Sequence, residues 1–264
     1  MPTSPLPWFH GTHERRLAIA LAAGLAALLI IVAFLPRLPQ DDAYHRFADC
    51  RCWLGVANTG DVLSNAPFAL VGIVGLWLAA RRRTPERAAW LTFFVGVGAT
   101  AVGSGYYHLA PDTPRLFWDR LPMTVAFMGL TAAIAGARLG PRLGRWLLAP
   151  LVVAGIASAM YWRQSELAGA GDLRWYAMVQ FAPMLAIPLM VALTPRRDIA
   201  GHDIAIVIAL YALSKLLEWL DAPVLDLLGI SGHTLKHLAA AAATAWVAWM
   251  LRRPDARAAN VVGP

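Results

Sequence analysis

Charged residues are scarce in this sequence, at 15% of 264 positions, whereas soluble domains usually carry about a quarter. Hydrophobic residues make up 58% of the chain, and its mean hydropathy is +0.53. A soluble enzyme of this length could not cover its cores with so few charges, and a disordered chain would have less to bury. The composition therefore predicts a polytopic membrane protein.

Cysteine is also scarce, since the chain has only Cys50 and Cys52. This number excludes a disulfide scaffold, and a bridge between residues two apart would be strained. We interpret the pair as incidental loop thiols rather than a redox or metal-capturing C-x-C motif. The net charge of +7 is not concentrated in a basic run interleaved with aromatic residues, so nucleic-acid binding has no support.

Several apolar stretches are long enough to cross a bilayer, for which a helix needs about 20 residues and at least about 17. Strands of an outer-membrane barrel would be about 10 residues long with alternating polarity, which excludes them here. The sequence therefore predicts an all-α, polytopic transmembrane helix bundle. The eight predicted spans are 17–35, 62–80, 90–109, 121–137, 146–162, 175–193, 204–220 and 233–251.

The first span could instead be a cleaved secretory signal. Its length and the lack of an A-x-A-like site before Pro36 favour a retained helix. With both termini in the cytoplasm, the cytoplasmic segments carry more arginines than the outer ones, as the positive-inside rule requires. The Ala- and Arg-rich composition indicates a bacterial source, so we expect a multi-pass protein of the inner (plasma) membrane with both termini cytoplasmic.

Three histidines lie in apolar surroundings, where ionisable side chains usually have a function. His108 ends the third span, four residues after Ser104, and His233 and His237 begin the eighth span on one helix face. The predicted topology puts all three at the outer level, with Asp119 at the start of the fourth span. Three imidazoles and one open position are typical of a catalytic zinc site, and a carboxylate and a hydroxyl beside them suit the activation of water.

Other polar residues receive structural interpretations. Lys215 and Glu218, three residues apart, are expected to neutralise each other, and Gln180 is expected to form a hydrogen bond between helices. Tryptophans near span ends, among them Trp118 and Trp162, are interpreted as an interfacial belt. The remaining histidines, which we expect to be solvated, are His10, His13, His45 and His202.

Short motifs follow one another in a fixed order between residues 42 and 251. They are Asn58-Thr59-x-x-x-x-Ser64-Asn65 with Phe68, Gly103-Ser104-x-x-x-His108, Asp119-x-Leu121-Pro122-Met123 and His233-x-x-x-His237. Together they resemble the signature of the alkaline ceramidases. The resemblance extends to their wider superfamily of seven-helix membrane hydrolases, which includes the adiponectin and progestin membrane receptors.

The resemblance implies a domain organisation and a site. Residues 41–251 would form a seven-helix catalytic domain, after an N-terminal tail and extra transmembrane helix (residues 1–40) and before a cytoplasmic tail (residues 252–264). A zinc ion would be held by three histidines, with two catalytic side chains at the reacting water. The implied ligands are His108, His233 and His237, and the implied catalytic residues are Ser104 and Asp119.

The resemblance also implies a reaction, the hydrolysis of the amide bond of a ceramide or another N-acyl lipid. The products would be a fatty acid and a sphingoid or other lipid amine. Calcium is doubtful, because eukaryotic ceramidases bind it through an acidic segment before the first core helix, where this chain offers only Asp49 and Asp61. The sequence does not identify the N-acyl lipid, and it names no protein partner.

Three other functions remain open. A receptor-like seven-helix protein could keep zinc without turnover, although Ser104 and Asp119 beside the histidines favour chemistry. Haem ligation by two histidines would leave the third histidine and Asp119 unexplained. A transporter is disfavoured because the sequence has no convincing inverted repeat and no broken midplane helix.

Overall fold

The computed structural model describes residues 7–195 and 199–253 of the chain. These residues form α-helices joined by loops and contain no β-strand, which confirms the all-α helical bundle. Residues 1–6 and most of the predicted tail 252–264 lie outside the described residues. The helices are α1 (Thr12–Phe34), α2 (Thr59–Leu63), α3 (Ala66–Arg81), α4 (Arg87–Leu109), α5 (Thr113–Arg138), α6 (Pro141–Leu167), α7 (Arg174–Ala192), α8 (Gly201–Trp219), α9 (Asp221–Leu228) and α10 (Gly232–Met250).

Each of the eight predicted spans overlaps one long helix. The helices α8 and α10 are not among the segments that qualify as membrane spans; α8 carries three charged side chains, and α10 carries two histidines and a lysine. They pack against each other within the bundle. The segments long and apolar enough to cross a membrane by length and composition are 12–34, 59–81, 87–109, 113–138, 141–167 and 174–192, as in a multi-pass membrane protein.

Helix α1 lies outside the seven-helix core. Little of its surface is buried, and it packs mainly against α7. Arg174, at the start of α7, donates hydrogen bonds to the carbonyl oxygens of Val32, Ala33 and Leu35 at the end of α1. Its guanidinium also pairs with the buried Asp172 at 2.8 Å. These contacts fasten the extra helix to the core.

Glycines allow α4 and α5 to pack closely. A Cβ atom on Gly96 would lie 2.5 Å from the backbone nitrogen of Ala126, and one on Gly103 would lie 2.0 Å from the carbonyl oxygen of Trp118. Small residues of this kind let membrane helices approach until their backbones touch. The two helices share the most extensive interface in the bundle.

Helix α5 begins well before the predicted start at residue 121. The Asp112 side chain accepts a hydrogen bond from the Arg115 backbone nitrogen at 2.7 Å, and Pro114 stands in the first turn. Both features favour a helix start at Thr113, whereas hydropathy alone does not detect the polar first turns. Asp119 therefore lies inside α5 and not at its beginning, and the short helices α2 and α9 are additions that we did not predict.

Candidate metal centre and adjoining cavity

The three predicted histidines come together. His108 lies near the end of α4, and His233 and His237 lie in the first two turns of α10. Their ring centroids form a nearly equilateral triangle with sides of 4.8–4.9 Å. All three side chains are buried, and one potential ligand nitrogen from each lies within 4.8 Å of the others.

One distance within this triangle is informative about a metal ion. His108 Nε2 lies 3.3 Å from His233 Nε2. Two imidazole nitrogens bound to one tetrahedral ion at about 2.0–2.1 Å would also be about 3.3 Å apart. The residues therefore fit a metal ion with three imidazole ligands, a donor set that suits zinc among other transition metals.

Ser64 orients the third imidazole. Its hydroxyl lies 2.8 Å from His237 Nδ1 and donates to the carbonyl oxygen of Asp61 at 3.1 Å. A hydroxyl has one proton, so it accepts from Nδ1–H of His237, which leaves the lone pair on Nε2. Metal-binding histidines usually have their other nitrogen fixed in this way.

The segment before α2 folds over the histidines. The Phe47 ring centroid lies 4.8 Å from that of His108 and 4.3 Å from that of His233. Asn58, the first residue of the upstream motif, donates its amide N–H to the His108 carbonyl oxygen at 2.8 Å. This segment therefore helps to keep the site away from bulk water.

The expectation that His45 is solvated is wrong. Its Nδ1 lies 2.9 Å from the Tyr107 hydroxyl and its Nε2 lies 2.9 Å from the Thr113 hydroxyl. Burial lowers the pKa of His45, which favours the neutral ring. His45 therefore fastens the covering segment to α4 and α5.

The other predicted loop histidines take no part in the metal-ligand group found among the described residues. His13 lies 2.7 Å from the carbonyl oxygen of Leu193, and His202 is exposed beside Asp203. His10 is partly buried. The three residues remain outside the candidate centre.

Ser104 and Asp119 line one cavity together with His237. Ser104 is one turn before His108 on α4, and Asp119 lies on the neighbouring helix α5. Both residues are buried. The helix backbones approach closely at Gly103, the neighbour of Ser104, which brings α4 and α5 together at this level.

Asp119 could instead have a structural role, either as the cap of α5 or as the ion-pair partner of Arg120. The geometry agrees with neither role. Asp112, and not Asp119, caps the start of α5. Within the described part of the chain, no ion pair joins Asp119 to Arg120. Asp119 is thus a buried carboxylate that lines the same cavity as Ser104.

An ion-pair network lies beside the imidazoles. Lys215 Nζ lies 2.6 Å from Glu218, as we predicted, but Lys236 Nζ lies 2.6 Å from the other oxygen of the same carboxylate. The Lys236 ammonium is also 3.2 Å from His233 Nε2. A metal ion can therefore bind this nitrogen only if the Lys236 ammonium moves away from it and keeps Glu218 as its partner.

Gln180 on α7 donates to the Tyr211 hydroxyl on α8 at 2.8 Å, which confirms its predicted bond between helices.

A cavity that is partly open to the outside extends from this site into the bundle. Its empty space, with the open part included, is about 1120 Å³. Ser104, Asp119 and His237 line one end, and Phe93, Leu130 and Val247 line the other. From Ser104 to Phe93, α4 rises about 16 Å. We call the end lined by Ser104, Asp119 and His237 the histidine end of the cavity, and the end lined by Phe93, Leu130 and Val247 its apolar end.

The two carboxylates considered for calcium have protein partners. Arg51 donates to both oxygens of Asp49, at 2.8 and 2.6 Å, and lowers its pKa. Asp61 accepts from the hydroxyls of Ser231 at 3.2 Å and Thr234 at 2.7 Å. The guanidinium supplies a positive charge at Asp49, so this carboxylate is not free for a cation.

Sequence reasoning missed several residues of the site. Trp162 is not part of an interfacial belt, because its side chain is fully buried and packs over Arg120 at 4.4 Å. Ser64 and Phe47 contact the histidines from distant parts of the chain. Arg120 was detectable, since it is an arginine next to Asp119 in an apolar segment.

Comparison of the chain with protein-family models, with curated proteins and with solved structures found no match. The fold and the site together define a multi-pass membrane helix bundle with a buried group of three histidines that could hold a metal ion.

We predict that replacing any one of the three histidines by alanine lowers the metal content. Wild-type protein loaded with zinc should retain about one ion per chain, and His108→Ala, His233→Ala and His237→Ala should each lose it, because three imidazoles are needed to complete the site. Elemental analysis after gel filtration measures the content. His202→Ala, at an exposed position, is the control. Full retention of zinc in all three variants would disprove the assignment.

We predict that Gly103→Ala destabilises the bundle whereas Gly105→Ala does not. The first Cβ would overlap the Trp118 carbonyl oxygen, while no atom lies within 4 Å of the second. Overpacking of this kind costs about 1–3 kcal/mol. Thermal unfolding in detergent, followed by tryptophan fluorescence, measures the difference. Equal melting temperatures would show that the contact between α4 and α5 is not tight at this point.

Proposed function

We propose that this protein is a zinc-dependent amidohydrolase embedded in the membrane. It hydrolyses the amide bond of ceramide-like N-acyl lipids and releases a fatty acid and a sphingoid or other lipid amine. One observation carries the proposal: a buried three-histidine group lies beside Ser104 and Asp119, which line a mainly apolar cavity with His237. The motifs that resemble those of the alkaline ceramidases support the same function.

Zinc fits the donor set of the site. His108, His233 and His237 would hold the ion, and the Ser64 contact to His237 supports the required tautomer. Bound zinc would polarise the amide carbonyl and acidify a water molecule at the site.

Asp119 and Ser104 supply the remaining chemistry. Asp119 accepts a proton from the attacking water and returns it to the nitrogen of the leaving amine, so it acts first as a base and then as an acid. The Ser104 hydroxyl donates a hydrogen bond to the carbonyl oxygen as negative charge develops there, a contribution often worth about 3 kcal/mol. Burial of both residues keeps competing water away.

The cavity accommodates the acyl chain. Its depth of about 16 Å along α4 is close to the length of an extended chain of roughly a dozen carbons. An acyl chain gains little hydrophobic energy by moving from the bilayer to an apolar cavity, because both are equally apolar. The cavity therefore selects by shape and places the amide at the histidine end.

Haem ligation is disfavoured by the geometry of the imidazoles. Two axial ligands bind a haem iron from opposite faces of the porphyrin. Here three rings converge on one point with centroids 4.8–4.9 Å apart, which leaves no gap for a porphyrin between two of them.

The same proposal includes an orientation in the bacterial inner membrane. The histidine end of the bundle faces outward, with Cys50 and Cys52 on that side, and both termini are cytoplasmic. Arginines concentrate at the opposite end, where Arg82 donates to the carbonyl oxygens of Leu251 and Arg253. Their position supports a cytoplasmic location through the positive-inside rule.

Asp119→Asn tests the hydrolase proposal. The amide keeps the shape of the side chain but cannot accept and return a proton, so kcat should fall by about 10²–10⁴-fold. Zinc content should stay unchanged, because the three imidazoles remain. Turnover of a panel of N-acyl lipids, followed by mass spectrometry of the products, is measured beside zinc content and melting temperature. Asp226→Asn, an exposed replacement of the same kind, is the control.

The possible results separate the alternatives. Joint loss of zinc and activity would make Asp119 a metal ligand. Reduced stability with full activity per folded molecule would make its role structural. If wild-type protein holds zinc but cleaves no lipid in the panel, the receptor-like alternative replaces the hydrolase.

The orientation predicts the labelling of cysteines in intact cells. An impermeant maleimide should react with Cys50 and Cys52, which are free and exposed. A variant with Cys50→Ser, Cys52→Ser and Arg83→Cys should react only after the cells are opened, because Arg83 is exposed at the opposite end. The reverse pattern would invert the orientation.

A further inference from the structure

The histidine end of the cavity has an excess of positive charge. The charged side chains that line the cavity are Asp119, Arg120, Lys215, Glu218 and Lys236, which give three cations and two carboxylates. Two of the cations, Lys215 and Lys236, share the single carboxylate of Glu218. A further cation at the three histidines would increase the imbalance.

Among the cations that line the cavity, Arg120 is the one for which the described part of the chain provides no hydrogen-bond or ion-pair partner. It is 7% exposed and makes no hydrogen bond or ion pair with any residue that the structure describes. Its guanidinium instead lies among aromatic rings, at 4.4 Å from Trp162, 5.0 Å from Tyr176 and 5.3 Å from Tyr44. Ring faces hold a guanidinium by cation–π attraction but leave its N–H groups free.

Tyr44 connects this arginine to the lysine network. Its ring faces Arg120, while its hydroxyl donates to Glu218 at 3.3 Å. The same tyrosine also lines the cavity. Arg120 and the two lysines thus belong to one polar wall beside Asp119.

A buried guanidinium with unused donors is costly unless an anion pairs with it. The planar N–H fork of arginine matches a carboxylate or a phosphate with two parallel hydrogen bonds. The apolar end of the cavity would take the acyl chain. An anion bound at the histidine end would therefore belong to the amine half of the substrate. These features describe a site for an acidic head group.

We propose that the preferred substrate is an N-acyl lipid whose amine half carries an anionic group, a carboxylate or a phosphate, bound by Arg120 with help from the neighbouring lysines. This inference rests on the proposed amide hydrolysis and moves the preferred substrate from uncharged ceramides to N-acyl lipids with an anionic amine half. For an N-acylglycine the reaction is balanced as follows. Water adds to the acyl carbon, the C–N bond breaks, and the products are a fatty acid carboxylate and zwitterionic glycine, with one negative charge before and after.

The experiment compares head groups on one acyl chain with the full-length, zinc-loaded protein in detergent. The substrates are N-lauroylglycine, its uncharged methyl ester and N-lauroyl phosphoethanolamine, and the variant is Arg120→Gln. Wild type should prefer at least one anionic substrate over the ester by about 10-fold or more in kcat/KM, since a charge-assisted hydrogen bond is lost with the ester. The variant should lose most of this preference, mainly through KM.

Arg163→Gln is the matched control. Arg163 also lies over an aromatic ring, that of Phe117 at 4.7 Å, but it does not line the cavity. This variant should keep the head-group preference of the wild type. Arg120→Lys, which keeps the charge and loses the fork, should retain part of the preference and provides a second variant if the glutamine variant folds poorly.

A binding measurement separates this inference from the hydrolase proposal. Zinc-free protein should bind the anionic lipid more tightly than the ester by titration calorimetry, and Arg120→Gln should abolish the difference. If this binding preference is found but no lipid is hydrolysed, the anion site is supported and the hydrolase proposal is rejected. Hydrolysis of the ester and the anionic lipids at equal rates in wild type would reject the anionic substrate class alone.

The fatty acid product also carries a carboxylate, and this anion could bind Arg120 in place of the amine half. Dodecanoate is therefore titrated in parallel. If it binds as tightly as N-lauroylglycine and with the same dependence on Arg120, the site serves the acyl product, and the assignment to the amine half is overturned. A preference for the glycine or the phosphate lipid identifies which anion the site takes.

Discussion

The contact between the backbones of α4 and α5 at Gly103 determines the geometry of the candidate site. With no Cβ at this position, the Trp118 carbonyl lies against α4, and the next residue on each helix, Ser104 or Asp119, lines the same cavity. His108 follows one turn later on α4. One close contact therefore positions a hydroxyl, a carboxylate and an imidazole from two helices. Chemistry needs this kind of fixed support, since functional side chains must be held to within about 0.5 Å.

Helix α10 is positioned by polar contacts instead. Asp61 accepts from Thr234 at 2.7 Å, and the Asp221 side chain accepts from the His233 backbone nitrogen at 2.8 Å. With the Ser64 contact to His237, these bonds fix the first two turns of the helix. In an apolar interior each such bond is costly to leave unmade. These bonds thus fix the rotation of α10 about its axis and its position along that axis, and with them the two imidazoles. The helix presents few bulky side chains at this end.

The fold and the histidine triad were predictable because both depend on local patterns. Hydropathy detects each long helix, and a spacing of four residues puts His233 and His237 on one face. The rest depends on contacts between distant residues. Ser64 meets His237 and Phe47 meets His233 across most of the chain, and Lys236 reaches Glu218 from another helix. The early start of α5 depends on a cap that hydropathy does not measure.

The polar groups of the site also explain why α8 and α10 do not qualify as membrane spans by composition. A charged side chain at the centre of a bilayer costs about 2.5–3.5 kcal/mol on insertion scales. The two helices offset this cost mutually, since Glu218 of α8 pairs with Lys236 of α10 at one end and Asp203 of α8 accepts from Trp246 of α10 at the other. Glu218 already pairs with Lys215 within α8, but Lys236 and the Trp246 indole of α10 find their partners on α8, so packing lowers the cost of placing α10 in the membrane. Packing of α10 inside the bundle also keeps His233 and His237, which lie in its first two turns, close to His108.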